Sequence, residues 1–165
     1  MITLRFVAAD EADWASRIIR SAQLGFAFSH VEARLDDGSL LGARFDGGVA
    51  VRQPGYDAKT MAREEYVGVA TPQLVELSFY AALRGELGKP YDVAAIGAML
   101  DGVIAGDDDK EWAATGAAWI CSSLQFGIAN ATNVWRAPIN RVRLVTPEIC
   151  YFTAFAVGGR TLAAP

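Results

Sequence analysis

The alternation of apolar and polar residues in "ITLRFVA", residues 2–8, predicts a first strand. The pattern then changes to a helical period. Apolar residues between Trp14 and Ala22 share one face, acidic residues precede them and Gly25 follows. We therefore expect a short amphipathic helix over residues 10–25.

Two further alternating runs flank Asp37-Gly38, a dipeptide that strongly favours a tight hairpin turn. Gly47-Gly48 predicts a second turn, followed by a third strand that ends at Pro54. The sequence thus predicts a block of antiparallel strands.

A short strand at residues 66–71 leads into a well-marked helix. Thr71 is the expected cap, Pro72 the expected first-turn residue, and Gly85 or Gly88 the expected end.

The last third combines a small-residue helix within residues 89–106, a polar loop at 107–116 and a helix after Cys121 that stops at residues 130–133. Pro147 is expected to separate two final strands. Helices in both halves, with strands between them, predict an α+β fold with an antiparallel sheet.

The start of the Cys121 helix is open to two interpretations. The helix begins at about Cys121, or a single helix runs from Glu111 to Ala131 and places the cysteine in its middle. Gly116 favours the break only weakly. The difference matters because a helix N-terminus stabilises a thiolate.

Length and composition limit the classes of function. A chain of 165 residues predicts a single domain, residues 1–165. With 15 basic and 19 acidic residues there is no basic stripe, so we expect no nucleic acid partner. No apolar run is long enough for a transmembrane segment, and the acidic N-terminal region is unlike a signal peptide. We expect a protein that stays in the cytoplasm or is delivered by another system, such as a phage.

The single histidine and two cysteines restrict the chemistry further. One histidine and no Cys-x-x-Cys pair predict no metal site, and nothing indicates a cofactor. The two cysteines form no disulfide framework, although the sequence is compatible with a single bridge between Cys121 and Cys150. Cys150 lies in a core-strand pattern and is interpreted as structural. A general base at neutral pH must be His30 or a carboxylate.

Several motifs resemble one enzyme superfamily. "GKPYD" followed by "WICSSLQFG" resembles the NlpC-type papain-like cysteine peptidases and amidases, and His30 before Cys121 resembles their circularly permuted, YiiX-like and lecithin retinol acyltransferase-like branch. "FSHVEARLDDG", "GARFDGGVAVR" and "VTPEICYF" extend the resemblance over roughly residues 5–155. It implies a permuted papain-like fold, with a sheet or small barrel packed on the Cys121 helix.

The resemblance also implies roles for individual residues. Cys121 would be the nucleophile and His30 its base, acting through a thioester. Tyr91 would donate its hydroxyl to the substrate or oxyanion, together with the start of the Cys121 helix, including Ser122. Taken alone, each of these residues is as readily explained by packing. Asp92 is interpreted as the N-cap of the following helix.

The residue that orients the histidine departs from this pattern. Many relatives place a polar residue, often Glu, before an Ala on the second strand, where this chain has Gly42-Ala43. The orienting group is then missing, replaced by water or a backbone carbonyl, or supplied from elsewhere. Glu32, two residues from His30 on the same strand face, is the nearest candidate.

The resulting expectation is a cysteine-dependent amide hydrolase, with cell-wall peptide as the first substrate to consider. A lipid acyltransferase or thioesterase on the same scaffold is the enzymatic alternative, with a lipid-like substrate. A catalytically inactive binding or structural protein, of the kind found in phages, is the alternative from another class.

Overall fold

In a computed structural model, the chain is described over residues 1–10, 14–23, 26–97, 118–137 and 145–164. Six antiparallel strands form an open sheet in the order β4-β3-β2-β1-β5-β6, which confirms the α+β prediction in its sheet rather than its barrel form. The strands are β1 (Ile2–Ala9), β2 (His30–Arg34), β3 (Leu40–Arg44), β4 (Gly48–Arg52), β5 (Met61–Val69) and β6 (Arg160–Leu162). The helices with defined bounds are α1 (Trp14–Ala22), α2 (Gln73–Gly85), α3 (Cys121–Ala131) and α4 (Pro147–Ala156), and residues 93–97 are also helical.

The central strand β1 is covered on both of its faces. Leu4 and Phe6 belong to the apolar core, whereas Arg5 between them is buried among carboxylates. The period-two pattern therefore separates an apolar layer from a charged layer, not a core from solvent.

Both predicted turns of the strand block are present. Gly38 has φ +84°, and the carboxylate of Asp37 accepts a hydrogen bond from the Ser39 N–H at 2.9 Å. Gly48 has φ +63°, and a Cβ there would lie 2.2 Å from the Lys89 carbonyl oxygen. Glycine at 48 therefore lets the hairpin approach the "GKPYD" segment closely.

Helix α3 starts at Cys121, so the interpretation of one helix from Glu111 is wrong. Ile120 is extended, with φ −92° and ψ 162°, and its N–H donates to the Ser123 hydroxyl at 3.2 Å. The helix packs across β2 and β3, where Leu124 and Val31 join one core cluster.

The prediction of a strand at "VTPEICYF" is wrong, because this segment forms α4. The Thr146 hydroxyl caps the helix by accepting from the Ile149 N–H at 3.4 Å, and Pro147 occupies the first turn. The cap outweighs the β-like apolar run that follows it. Cys150 is therefore on a helix, although it is buried as expected.

Helix α2 begins without the predicted side-chain cap. Thr71 does not cap α2, because Pro72 is the N-cap and the helix begins at Gln73. A side-chain cap requires the hydroxyl at the residue just before the helix, and here that residue is a proline. The helix ends at Gly85, as expected. The predicted polar loop at 107–116 lies outside the described residues.

Candidate active site

Cys121 lies at the N-terminus of α3, against β2, and is 1 % exposed. The backbone N–H groups of Val31 and Ser122 hydrogen-bond its sulfur. The Ser122 N–H belongs to the first turn of α3, where N–H groups are unpaired and carry partial positive charge, whereas the Val31 N–H comes from β2. The sulfur therefore lies where a negative charge is stabilised.

The side chains of Cys121 and His30 hydrogen-bond to each other. Burial alone would raise the pKa of the Cys121 thiol, but the charge and hydrogen bond of His30 lower it overall. Burial alone would lower the pKa of His30, but Cys121 and then Glu32 raise it to about 9. These opposite shifts favour a thiolate–imidazolium pair over two neutral groups.

Among the described residues, no imidazole or other cation is paired with Cys150. Burial, and then the negative charge of Cys121, raise its pKa well above the usual range. Its thiol donates to the Ser122 carbonyl oxygen at 3.3 Å. Both cysteines are free and buried, so burial does not explain why their pKa values shift in opposite directions; the main difference is the contact of Cys121 with His30.

Glu32 is brought to His30, on the strand face that the sequence predicts. Its Oε2 lies 3.4 Å from Nε2 of His30, while its Oε1 accepts from Arg5 at 2.6 Å. Burial alone would raise the pKa of Glu32, but His30 and Arg5 lower it to about 2. Glu32 is therefore a buried carboxylate that stays ionised.

Gly42 explains how β2 supplies this carboxylate. It lies opposite Glu32 on β3, and a Cβ at Gly42 would be only 2.7 Å from the Cβ of Glu32. The missing side chain at 42 leaves the space that Glu32 occupies.

The sequence reasoning missed a buried charged network around Glu32. Arg5 binds Asp57 through both terminal nitrogens, at 3.0 and 2.9 Å, and its Nε binds Glu64 at 2.6 Å. The Tyr56 hydroxyl donates to Oε2 of Glu32 at 3.0 Å. A charged residue in the middle of the predicted first strand, Arg5, is the signal that could have indicated this network.

A cavity of about 400 Å³ lies beside His30, and Tyr91 forms part of its wall. Tyr91 pairs with Trp119 through the backbone, which places the "GKPYD" segment next to the start of α3. The Asp92 carboxylate accepts from the Ala95 N–H at 2.9 Å, which confirms Asp92 as an N-cap.

Two further observations show which groups of the predicted site face the cavity. The Ser122 hydroxyl donates to the Val145 carbonyl oxygen and is fully buried, so it faces away from the cavity. Only the backbone of Ser122 is directed to Cys121. The cavity wall includes His30 but not Cys121, so the imidazole lies between the thiol and the cavity.

Most of the other residues on the cavity wall are polar, although apolar atoms form the larger part of its surface. Its charged members come from the end of β1, from β3 and the turn after it, and from the segment between β4 and β5: Asp10, Arg44, Asp46, Asp57 and Lys59. Acidic and basic groups are therefore both within reach of a molecule bound beside His30.

No family model matches the chain, and no curated protein matches it in sequence. Among solved structures, it is similar to YiiX of Escherichia coli, described as a metalloprotein, with a TM-score of 0.68 and 13% identity. The similarity covers 99% of this chain and 96% of that one. At this identity it shows a shared fold, and it confirms the YiiX-like fold that the sequence resemblance implied.

Within the described ranges, no group of three or more His, Cys, Asp or Glu side chains is placed to hold a metal ion. The carboxylates that converge, Glu32, Asp57 and Glu64, already bind the guanidinium of Arg5. Nor does any described helix combine the length and apolar character needed to cross a bilayer.

Proposed function

We propose that the protein is a cysteine-dependent amide hydrolase that acts through Cys121, His30 and Glu32. The observation that carries the proposal is the mutual hydrogen bond of Cys121 and His30, which lowers one pKa and raises the other. The shared YiiX-like fold is consistent with it but does not assign a reaction.

In the first step, the Cys121 thiolate attacks the carbonyl carbon of the amide and a carbon–sulfur bond forms. The carbonyl π electrons move to oxygen, and the resulting oxyanion is stabilised by N–H groups at the start of α3 and by the Tyr91 hydroxyl. Each such donor contributes roughly 3 kcal/mol in comparable sites.

In the second step, the oxyanion collapses and the carbon–nitrogen bond breaks. His30 gives its proton to the departing amine, which leaves a thioester on Cys121 and a neutral imidazole. His30 then takes a proton from water, the hydroxide adds to the thioester, and the acid and the thiolate are released.

Glu32 keeps the imidazole oriented during this cycle. Its nearest oxygen faces Nε2 of His30, which leaves Nδ1 as the nitrogen that exchanges a proton with the thiol. Because Glu32 stays ionised, it also stabilises the protonated imidazole.

The cavity supports a peptide-like substrate over a lipid. Arg44 and Asp46 lie on its wall beside the aromatic rings of Phe45 and Tyr91. Burying an acyl chain against these charges would be unfavourable, whereas a charged peptide can pair with them. Cell-wall peptides, which the family resemblance suggests, are the first substrates to test.

One observation favours a second function, that of a binding protein without turnover. Cys121 is almost fully buried and does not line the cavity. A nucleophile must reach the carbonyl carbon, so attack requires His30 and the neighbouring wall to move. A protein that only binds a peptide in the cavity requires no such movement.

The pH dependence of Cys121 alkylation separates the two functions. The rate of modification of each cysteine by iodoacetamide is read by peptide mass spectrometry, in wild type and in His30→Ala. We expect Cys121 to react at pH 6 and to lose this reactivity in the variant, with Cys150 unreactive in both. A Cys121 that reacts only above pH 9 in wild type would contradict the hydrolase and leave the binding function.

A further inference from the structure

Beyond the three residues of the proposed site, Tyr56 occupies a defined place next to Glu32. It lies in the turn after β4, and its hydroxyl donates to Oε2 of Glu32, the oxygen that also faces His30. The two contacts are 3.0 Å for Tyr56 and 3.4 Å for His30. One carboxylate oxygen is thus shared between the hydroxyl and the imidazole.

The direction of the Tyr56 hydrogen bond is set by its neighbours. Nη1 of Arg44 donates to the Tyr56 oxygen at 3.2 Å, so the hydroxyl hydrogen is free to point to Glu32. The ring lies under two guanidinium groups, 5.0 Å from Arg44 and 5.7 Å from Arg52. Burial and the charge of Glu32 raise the pKa of Tyr56, which keeps it a donor.

We propose that Tyr56 is a positioning residue that divides the Glu32 carboxylate between itself and His30, in the space that Gly42 leaves open. The benefit of Tyr56 for catalysis rests on the proposed function. Its effect on the pKa of His30 can be measured whether or not the protein is a hydrolase. It concerns how strongly Glu32 acts on the imidazole.

The physical reason is the balance that a single general acid and base must keep. A buried carboxylate whose negative charge acts only on the imidazole makes that imidazole too basic to release its proton to the leaving amine. The Tyr56 hydroxyl on Oε2, together with Arg5 on Oε1, offsets part of the negative charge that His30 meets. Gly42 has the reverse effect, because it lets the carboxylate approach His30 at all.

The charged and titratable groups around the pair come from several elements. Glu32 accepts hydrogen bonds from Arg5 on β1 and from Tyr56 in the turn after β4. Arg44 of β3 acts on Glu32 indirectly, because it donates to the Tyr56 hydroxyl. Cys121 at the start of α3 acts on His30. A test must therefore separate the thiolate from the carboxylate.

His30 is the chain's single histidine, so its NMR titration can be read without assignment. We would titrate it in the full chain in a Cys121→Ser background, where the thiolate no longer contributes. Tyr56→Phe removes only the hydroxyl, and we expect it to raise the pKa of His30 by roughly 0.5 to 1. Gly42→Ala displaces Glu32, and we expect it to lower the pKa of His30 by about 1.

Each variant has a matched control. Tyr66→Phe removes a hydroxyl that donates to Glu64 at 3.2 Å, in the same network but away from His30. Gly85→Ala adds a methyl group that meets no atom within 4 Å. Both controls are expected to leave the His30 titration unchanged.

Opposite shifts from Tyr56→Phe and Gly42→Ala, with silent controls, support the proposal. A Tyr56→Phe titration equal to that of Tyr66→Phe, or a shift in the same direction as Gly42→Ala, would overturn it. Tyr56→Phe alone decides the matter if Gly42→Ala fails to fold. The titration uses Cys121→Ser and does not depend on the thiol. A failure of the hydrolase proposal would therefore appear in the alkylation experiment, whereas a failure of the Tyr56 proposal would appear in the titration.

Discussion

The two faces of the central strands are both buried, but they are stabilised in different ways. On one face Val31 and Ala33 pack against α3 through apolar contacts that have no preferred partner. On the other, Arg5 forms short hydrogen bonds with the carboxylates of Glu32 and Asp57. The apolar face tolerates substitutions that keep its volume, whereas the charged face depends on every ion having its partner.

This difference explains why the candidate chemistry lies on the charged side. Only a face that already compensates buried carboxylates can hold an ionised Glu32 next to His30. Cys121 approaches from the apolar side, at the helix end, where N–H groups are available. The candidate site is therefore the point where the two faces meet.

The largest expected effect comes from removing the central cation. We expect Arg5→Met to destabilise the fold by about 3–5 kcal/mol, because it leaves buried carboxylates without their partner. Chemical denaturation measures the change, with Arg63→Met as the control, since Arg63 pairs on the exposed surface. A loss below about 1 kcal/mol, typical of surface pairs, would contradict the proposed difference between the faces.

The next effect concerns the pair itself. We expect Cys121→Ser to lower the pKa of His30 from about 9, because the variant removes the thiolate charge while Glu32 remains. NMR titration of the single histidine measures the change. Cys150→Ser is the control and should leave the titration unaltered. An unchanged pKa of His30 in Cys121→Ser would mean that no ion pair exists.

The charged face should also make stability depend on pH in two ranges. The pKa of Glu32 is depressed to about 2, so its contribution is present above its unfolded pKa and is lost as pH falls toward 2. The pKa of His30 is raised to about 9, so its contribution is complete below its unfolded pKa and is lost as pH rises from there to 9.

The lowered pKa of Cys121 acts in the opposite direction over the upper range, because the unfolded thiol still holds a proton that the folded thiolate has lost. We therefore expect the midpoint of urea unfolding in wild type to rise from acid pH and then to change little between about pH 6.5 and 8.5. In Cys121→Ser the opposing thiolate is gone while Glu32 remains, so the midpoint should fall over this range. A midpoint that falls equally in wild type and in Cys121→Ser would contradict the thiolate–imidazolium pair.

The smallest effect is expected for Cys150. Cys150→Ala removes a thiol with a weak hydrogen bond to the Ser122 carbonyl oxygen and leaves the pair intact. We expect the alkylation rate of Cys121 at pH 6 to remain within about twofold of wild type. A large loss would mean that α4 positions the start of α3, and the two cysteines would then not be independent.

Much of the fold could be predicted from local signals. Asp37-Gly38 and Gly47-Gly48 require particular backbone conformations, so they indicated turns without any tertiary information. The strand at "EICYFTAF" was predicted wrongly because a short apolar run fits a buried strand and a buried helix equally. The Thr-Pro pair before it, at residues 146–147, was the better signal.

For the candidate site, the sequence by itself determined that one histidine and two cysteines were available, because composition is a local property, but it left the start of the Cys121 helix open. Only the tertiary structure decided that Glu32 faces His30 and that the Ser122 hydroxyl is committed to Val145. It also decided that Arg5 and Tyr56 hold Glu32, which lies 27 and 24 positions away from them along the chain. Such contacts depend on strand register and on the order of strands in the sheet, and neither leaves a periodic signal in the sequence.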